Sequence, residues 1–403
     1  MLAATTHARR LRAAFAITVP LLLLAALAVV PQIAGAKLAR GIADPTLTTP
    51  GSGMIESVQA EALDQIGPQL GASYVRFVVS WAAAQPISRT AYDESYLQGV
   101  DRAVALAKAD GLKVILTFCY VPKWASDRNY WNGTSNPYDI KGYNARYVPK
   151  TDDETTMTAF RDFCREMAER FQASAYECWN EPNLHITLYP QSTKKDPNFG
   201  AHVYIKMLRQ FSAGIRAADP TDGTRAVRIA GSTSSRGYSA SAPLSSRRMM
   251  TSPQRFAREL KARGASKYFD AYAHHPYAPG ATRDKWPSAP PRDPSTCVNL
   301  QNLGTLIKLF PTKPFYLTEY GYQTAACSSW SGQFVTPAVQ AKYLKDAYSY
   351  VARKYPQVKL LMWFLLDDWS PSGRAGDYQG NYCGLRYIDQ SKKPAWYAFQ
   401  RLN

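Results

Sequence analysis

Tyr176-Glu177-Cys178-Trp179-Asn180-Glu181-Pro182-Asn183 is an apolar-aromatic run that stops abruptly in Asn-Glu-Pro-Asn. It follows a helical segment and reads as a buried strand. Pro182 cannot donate to a strand ladder and turns the chain out, which leaves Asn180 and Glu181 at the strand's carboxyl end. Phe315-Tyr316-Leu317-Thr318-Glu319-Tyr320-Gly321 repeats the arrangement, an apolar strand ending in Glu319 with Gly321 opening the loop.

Outward from these two stretches, strand-like and helix-like segments alternate. Strands are expected over residues 46–54, 74–81, 113–118, 176–181, 226–230, 269–275, 315–320 and 359–365. Helices are expected over 55–70, 93–110, 153–171, 202–218, from Ser252-Pro253 onward, and over 298–310, 337–355 and 396–402. Gly71 and Gly111 stop the first two helices as C-terminal glycines do. Residues 113–118 are almost continuously apolar, as strands of a parallel sheet covered on both faces are. No change of composition marks a second domain. The expected fold is α/β, a single (β/α)8 TIM barrel. The chain has 403 residues, 46% of them hydrophobic, with 26 Tyr and 9 Trp, which is ample for one large core. The long connections follow the strands and the short ones follow the helices. All elaboration then falls on the C-terminal face, where barrel enzymes keep their sites.

Residues 1–36 stand apart. Arg9, Arg10 and Arg12 precede an unbroken apolar stretch from Ala13 to Val30, and Ala34-Gly35-Ala36 fits a small-residue cleavage site. The segment reads as a signal peptide, with an uncleaved membrane anchor as the alternative. Residues 37–45 read as a linker and 46–403 as the catalytic domain. Without the three leader arginines the net charge falls from +17 to +14. Such charge draws an exported protein to anionic polysaccharide or serves only solubility. No basic helix, zinc-knuckle spacing or aromatic-basic repeat points to nucleic acid. Of six cysteines, Cys119, Cys164 and Cys178 read as buried apolar residues. Cys297, Cys327 and Cys383 fall in loops, and a bridge between two of them is expected, Cys297–Cys327 first.

Two glutamates at the C-terminal ends of two barrel strands are the arrangement that glycoside hydrolysis needs. Trp179-Asn180-Glu181-Pro182-Asn183, followed by Leu317-Thr318-Glu319-Tyr320-Gly321, resembles the clan A retaining glycosidases, with glycoside hydrolase families 39 and 5 nearest. The resemblance runs from about residue 50 onward. It implies Glu181 as acid/base and Glu319 as nucleophile, separated by about 5 Å. Arg76, a charge inside a parallel-barrel strand, would be too costly to bury unpaired and is expected to hold Glu319 ionised. In related families an arginine on the second strand orients the nucleophile. A structural ion pair with another acid is the alternative, and Glu177 is a candidate acid.

Asn180 would donate to the sugar 2-hydroxyl. In Ala273-His274-His275-Pro276-Tyr277 the His-x-Tyr pattern of family 39 falls on His275 and Tyr277, with Tyr277 placed to donate to the nucleophile. His274 is read as a satisfied core residue. Neighbours on a strand point to opposite faces and no third ligand has suitable spacing, so no metal is expected. Trp363 matches the clan's aromatic floor under the sugar. Trp81 and Trp124, with Trp131 and Tyr322 beside them, sit at or past strand ends where they would stack on sugar faces.

The reading is an exported retaining O-glycosyl hydrolase acting on a β-linked oligo- or polysaccharide, with no cofactor and with membrane contact only through an uncleaved leader. A transglycosylase of the same fold and a non-catalytic glycan-binding barrel are the rivals. Cleavage of the leader makes a simple prediction. The mature protein in the secreted fraction should begin near Lys37 by N-terminal mass spectrometry, and an intact N-terminus in a membrane fraction would establish the anchor.

Overall fold

Parallel strands buried on both faces can close only upon each other, and this sequence provides eight of them. The computed structural model describes residues 37–131, 144–219, 225–278, 286–291, 293–325, 334–369 and 382–402. The strands are β1 Ala39–Ala43, β2 Tyr74–Ser80, β3 Lys113–Cys119, β4 Ala175–Cys178, β5 Val227–Ser234, β6 Ala271–His275, β7 Phe315–Leu317 and β8 Val358–Phe364. They pair in sequence order, all parallel, and β8 pairs with β1 to close the barrel. The helices are α1 Glu56–Asp64, α2 Trp81–Ala84, α3 Glu94–Ala109, α4 Glu154–Phe171, α5 Phe199–Ala217, α6 Leu244–Met249, α7 Pro253–Ala262, α8 Gly304–Ile307, α9 Pro337–Lys354 and α10 Pro394–Gln400. Asp93 and Asp153 cap α3 and α4 by accepting from the backbone N–H of Tyr96 and Thr156. None of the described helices is long and apolar enough to cross a membrane.

Period-two alternation divides each strand between two environments. One set of side chains, including Val75, Phe77, Leu116, Phe118, Tyr176 and Leu361, packs outward against the helices. The other set fills the barrel. Ala43, Ile115, Ala175, Ile229, Ala271, Ala273, Leu360 and Met362 make a small apolar plug. One step further along the same inward faces come Arg76, Thr117, Glu177 and His275, all buried. The barrel therefore has an apolar storey with a polar storey above it at the C-terminal end.

Three expectations are corrected. The first strand is Ala39–Ala43, not residues 46–54, which form two short 3-10 turns, Pro45–Thr48 and Ser52–Met54. Residues 37–45 are thus part of the barrel and not a linker. The strand was hidden by its small side chains, which close packing requires. A Cβ on Gly41 would lie 2.7 Å from the Tyr74 carbonyl oxygen and 2.8 Å from Met362 Cε. The helix expected over 298–310 is reduced to Gly304–Ile307. Asn299 and Asn302 turn their side chains onto neighbouring backbone groups and hold the preceding residues out of a helix. The bridge expected from Cys297 is not formed. Cys297 is a buried thiol whose carbonyl accepts from the side chains of Gln254 and Asn302, which fastens its loop to α7. Cys327 lies outside the described residues, as does the leader.

If β1 is part of the barrel, Gly41→Val should cost about 1–3 kcal/mol of stability by overpacking. Urea denaturation measures this, and a glycine in a free linker would tolerate the change.

Candidate active site

The site grows from the ends of β2, β4, β6 and β7. Arg76 on β2 is fully buried. Its guanidinium spends its three nitrogens on three partners: Nε on Glu177 Oε2 at 2.6 Å, Nη1 on Glu319 Oε1 at 2.8 Å and Nη2 on Asn180 Oδ1 at 2.7 Å. Burial alone would lower the pKa of Arg76, but Glu177 and then Glu319 raise it, so it stays a cation. Both kinds of partner that the sequence offered for Arg76 are therefore in contact with it. It pairs with a structural acid and with the strand-end glutamate.

Glu177 is the structural acid. Beyond Arg76 it accepts from Thr117 Oγ1 at 2.6 Å and from Thr318 Oγ1 at 2.9 Å. Burial works against its ionisation, yet Arg76 beside it holds the carboxyl below its usual range. Glu319 takes one donor on each oxygen, Arg76 on Oε1 and Tyr277 Oη on Oε2 at 3.0 Å. Burial, and then the charge of Glu319, push the Tyr277 phenol well up, so it remains protonated and donates.

Glu181 faces this pair from the turn after β4. Strand alternation ends at Cys178, and Trp179 and Glu181 both take positive φ, 68° and 40°. Such backbone costs on the order of 1–3 kcal/mol per residue and persists only where neighbours fix it. Here they do. The Glu181 N–H donates to the Ser232 carbonyl at 3.1 Å, inside a bulge of β5 where Gly231 and Ser232 also have positive φ. The Trp179 indole is thrown outward, where its N–H donates to the Thr187 carbonyl, so it does not share a face with Glu177 as strict alternation would require.

His275, at the end of β6, lies between the carboxylates. Its Nδ1 is 3.2 Å from Glu181 Oε1 and 3.5 Å from Glu319 Oε2. One ligand-type atom each from Glu181, His275 and Glu319 fall within 4.8 Å of one another. Both glutamate side chains keep a little exposure, 13% and 10%, while His275 has none. His274 points away, between Thr233 Oγ1 and the Val298 carbonyl, and burial lowers its pKa to about 3.

The structure thus brings together Arg76, Asn180, Glu181, His275, Tyr277 and Glu319, and leaves Trp81 and Trp363 out. Trp81 is fully buried against Phe160 and Phe163 with its N–H on Gln85 Oε1. Trp363 is fully buried against Tyr320 with its N–H on the Cys383 carbonyl. Neither has a ring face for a sugar. On β8 it is Phe364, in line with Leu360 and Met362, that faces the barrel and stays partly exposed. Trp124 is half-buried, edge-on to Trp81 at 5.5 Å, with its N–H on the Gln85 carbonyl. Sequence reading missed Thr117 and Thr318. The signal available for Thr117 was its inward register on β3.

Removing the cation should expose the arrangement thermodynamically. Arg76→Leu strands two carboxylates and should cost about 3–5 kcal/mol at neutral pH. In the parent, the lowered pKa of Glu177 contributes stability above the ordinary carboxylate range and loses it as pH falls through the folded value. In the variant the deficit should shrink in acid, where Glu177 takes up a proton. Urea midpoints across pH measure this, and a deficit independent of pH would refute the cation's role.

The sequence pattern described as Cellulase (glycosyl hydrolase family 5) matches residues 45–365. A probable glucan 1,3-beta-glucosidase A from Aspergillus niger is 30% identical over 118 residues, which are 29% of this chain and 26% of that protein. The match thus spans about a quarter of the curated relative. Among solved structures, a family 39 glycoside hydrolase from Bacteroides cellulosilyticus WH2 superimposes with a TM-score of 0.58 at 19% identity, covering 91% of this chain and 63% of that one. A GH5_18 protein from Bifidobacterium longum subsp. infantis does so with a TM-score of 0.59 at 15% identity, covering 90% and 78%. These two likenesses bear on the fold. The family match, running through most of the barrel, shows that the chain belongs to glycosyl hydrolase family 5, of clan A.

Proposed function

We propose that the enzyme cleaves a β-linked glycan by double displacement, with Glu319 as nucleophile and Glu181 as acid/base. The observation that carries this reading is the unequal environment of two neighbouring carboxyls. Glu319 accepts from Arg76 and Tyr277, which stabilise its charged form. Among the described residues no Lys or Arg is hydrogen-bonded to Glu181, which meets His275 instead. The oxygens within 4.8 Å agree with the roughly 5 Å of retaining pairs and leave no room for the water an inverting enzyme needs between them.

In the first step a Glu319 oxygen attacks the anomeric carbon while Glu181 gives its proton to the leaving oxygen. In the second, Glu181 takes a proton from water, which attacks the same carbon and releases Glu319. The Asn180 carbonyl oxygen is occupied by Arg76, so its amide N–H groups are the end left to donate to the sugar 2-hydroxyl. The reading extends to the place of action. An arginine-led apolar leader and a basic mature chain suit work on polysaccharide outside the cytoplasm. The relative's name makes β-1,3-glucan oligosaccharides the first substrates to offer, within a wider glycan panel whose products also distinguish water from sugar as acceptor.

Glu319→Ala should abolish turnover on every substrate. Glu181→Ala should lose less on aryl glycosides with good leaving groups and should accumulate the glycosyl-enzyme. Added azide should restore the Glu181 variant with retained configuration and give inverted product with the Glu319 variant. Inversion in the Glu181 variant would reverse the two roles.

A further inference from the structure

A buried histidine between two carboxylates raises the question of which nitrogen bears its proton. The answer comes from Thr318. Its hydroxyl oxygen lies 2.9 Å from Glu177 Oε1 and 3.1 Å from His275 Nε2. Glu177 is bonded to the Arg76 cation and is an acceptor only. The single hydroxyl proton of Thr318 therefore goes to Glu177, and its oxygen accepts from His275 Nε2–H. A neutral His275 then turns the lone pair of Nδ1 toward Glu181 Oε1 at 3.2 Å and Glu319 Oε2 at 3.5 Å.

A lone pair cannot rest against two carboxylate oxygens without a proton between. The groups facing the ring are Glu177 and Glu181 from the end of β4 and Glu319 from the end of β7. Arg76 on β2 and Tyr277 beyond β6 stand behind them, and Arg236, in the loop after β5, acts on Glu181 through its charge. Glu319 is paired with the Arg76 cation, which favours its charged form, and Glu181 Oε1 is the nearer of the two oxygens, so the proton is assigned to Glu181.

We propose that Thr318, held by Glu177, is a positioning residue that fixes His275 as an Nε2–H donor, so that Nδ1 shares one proton with Glu181 and keeps the acid loaded between turnovers. This rests on Glu181 being the acid. The proton leaves Glu181 with the departing oxygen, the attacking water returns one, and His275 ends each cycle as it began.

Thr318→Val keeps the side-chain shape but removes the acceptor for Nε2–H. The ring then prefers its proton on Nδ1, donates it to Glu181, and favours the ionised acid. The basic limb of kcat/KM should move down by about one pH unit. At neutral pH the loss should be about tenfold greater on phenyl than on 4-nitrophenyl β-glycosides of a sugar the parent accepts, because only the poor leaving group needs the proton. Thr318→Ser should restore both. A basic limb unmoved in Thr318→Val, or equal losses on both leaving groups, would overturn the proposal. Glu181→Gln separates the two claims. If it keeps the parent's leaving-group dependence, the acid assignment has failed; if it shows the acid's signature while Thr318→Val does not, only the present inference has. Nitrogen-15 shifts of His275 in the unmutated enzyme test the point without any variant. A protonated Nε2 is expected, and a bare Nε2 would contradict it.

Discussion

Everything at the mouth of this barrel depends on one buried cation. Arg76 stands on an inward face where the next layer down is alanine and isoleucine. An isolated guanidinium there would be prohibitively costly, and so would either carboxylate alone. Together they satisfy each other, and the three bonds of Arg76 tie β2 to the ends of β4 and β7. Glu177 has no reach into the cleft, being fully buried, and its role is to let Arg76 exist where Glu319 needs it. The same atoms thus hold the barrel's polar storey together and bond to the carboxylate proposed as nucleophile.

The two carboxyls proposed as acid and nucleophile are chemically identical residues made different by backbone and neighbours. Glu319 lies close to its strand and meets Tyr277 from beyond the neighbouring β6 and Arg76 from β2 across the barrel. Glu181 sits past a turn with positive φ, which carries it out of the strand's alternation. The bulge in β5 gives that turn its anchor through the Ser232 carbonyl. Strain at Trp179, Glu181 and Ser232 is therefore concentrated where the acid must be displaced from the cation that its partner uses.

Sequence made some of this legible for physical reasons and hid the rest for equally physical ones. A strand that ends in Asn-Glu-Pro announces its terminus, and an arginine in a buried strand announces a partner. Glu181, Glu319 and Arg76 could therefore be read from local chemistry. Tyr277 could be placed because its spacing from His275 matched a known pattern. The first strand could not, since Ala39–Ala43 is defined by what must be absent at Gly41 and not by apolar bulk. The tryptophans misled because hydrophobicity does not say which side of a strand a ring takes. Trp363 and Phe364 are neighbours, and register alone sends the larger ring into the helix layer and the smaller one to the mouth.

Counting charge in the cluster gives a reason for the proposed acid to stand next to a histidine at all. Glu177, Glu181 and Glu319 are three carboxyls gathered near the Arg76 guanidinium, which is bonded directly to the first and last, while Arg236 acts on Glu181 only through its charge. Those two and Arg76 already leave an excess of one negative charge in a largely buried space. Ionising Glu181 as well would add a second, at the distance where like charges are most costly. The proton that the proposal above shares between Glu181 and His275 Nδ1 removes that cost. In the double displacement proposed above, Glu319 becomes an ester, its charge is gone and the reason for holding the proton weakens. Glu181 would then be free to serve as the base, the switch between its two proposed roles following from the state of its neighbour.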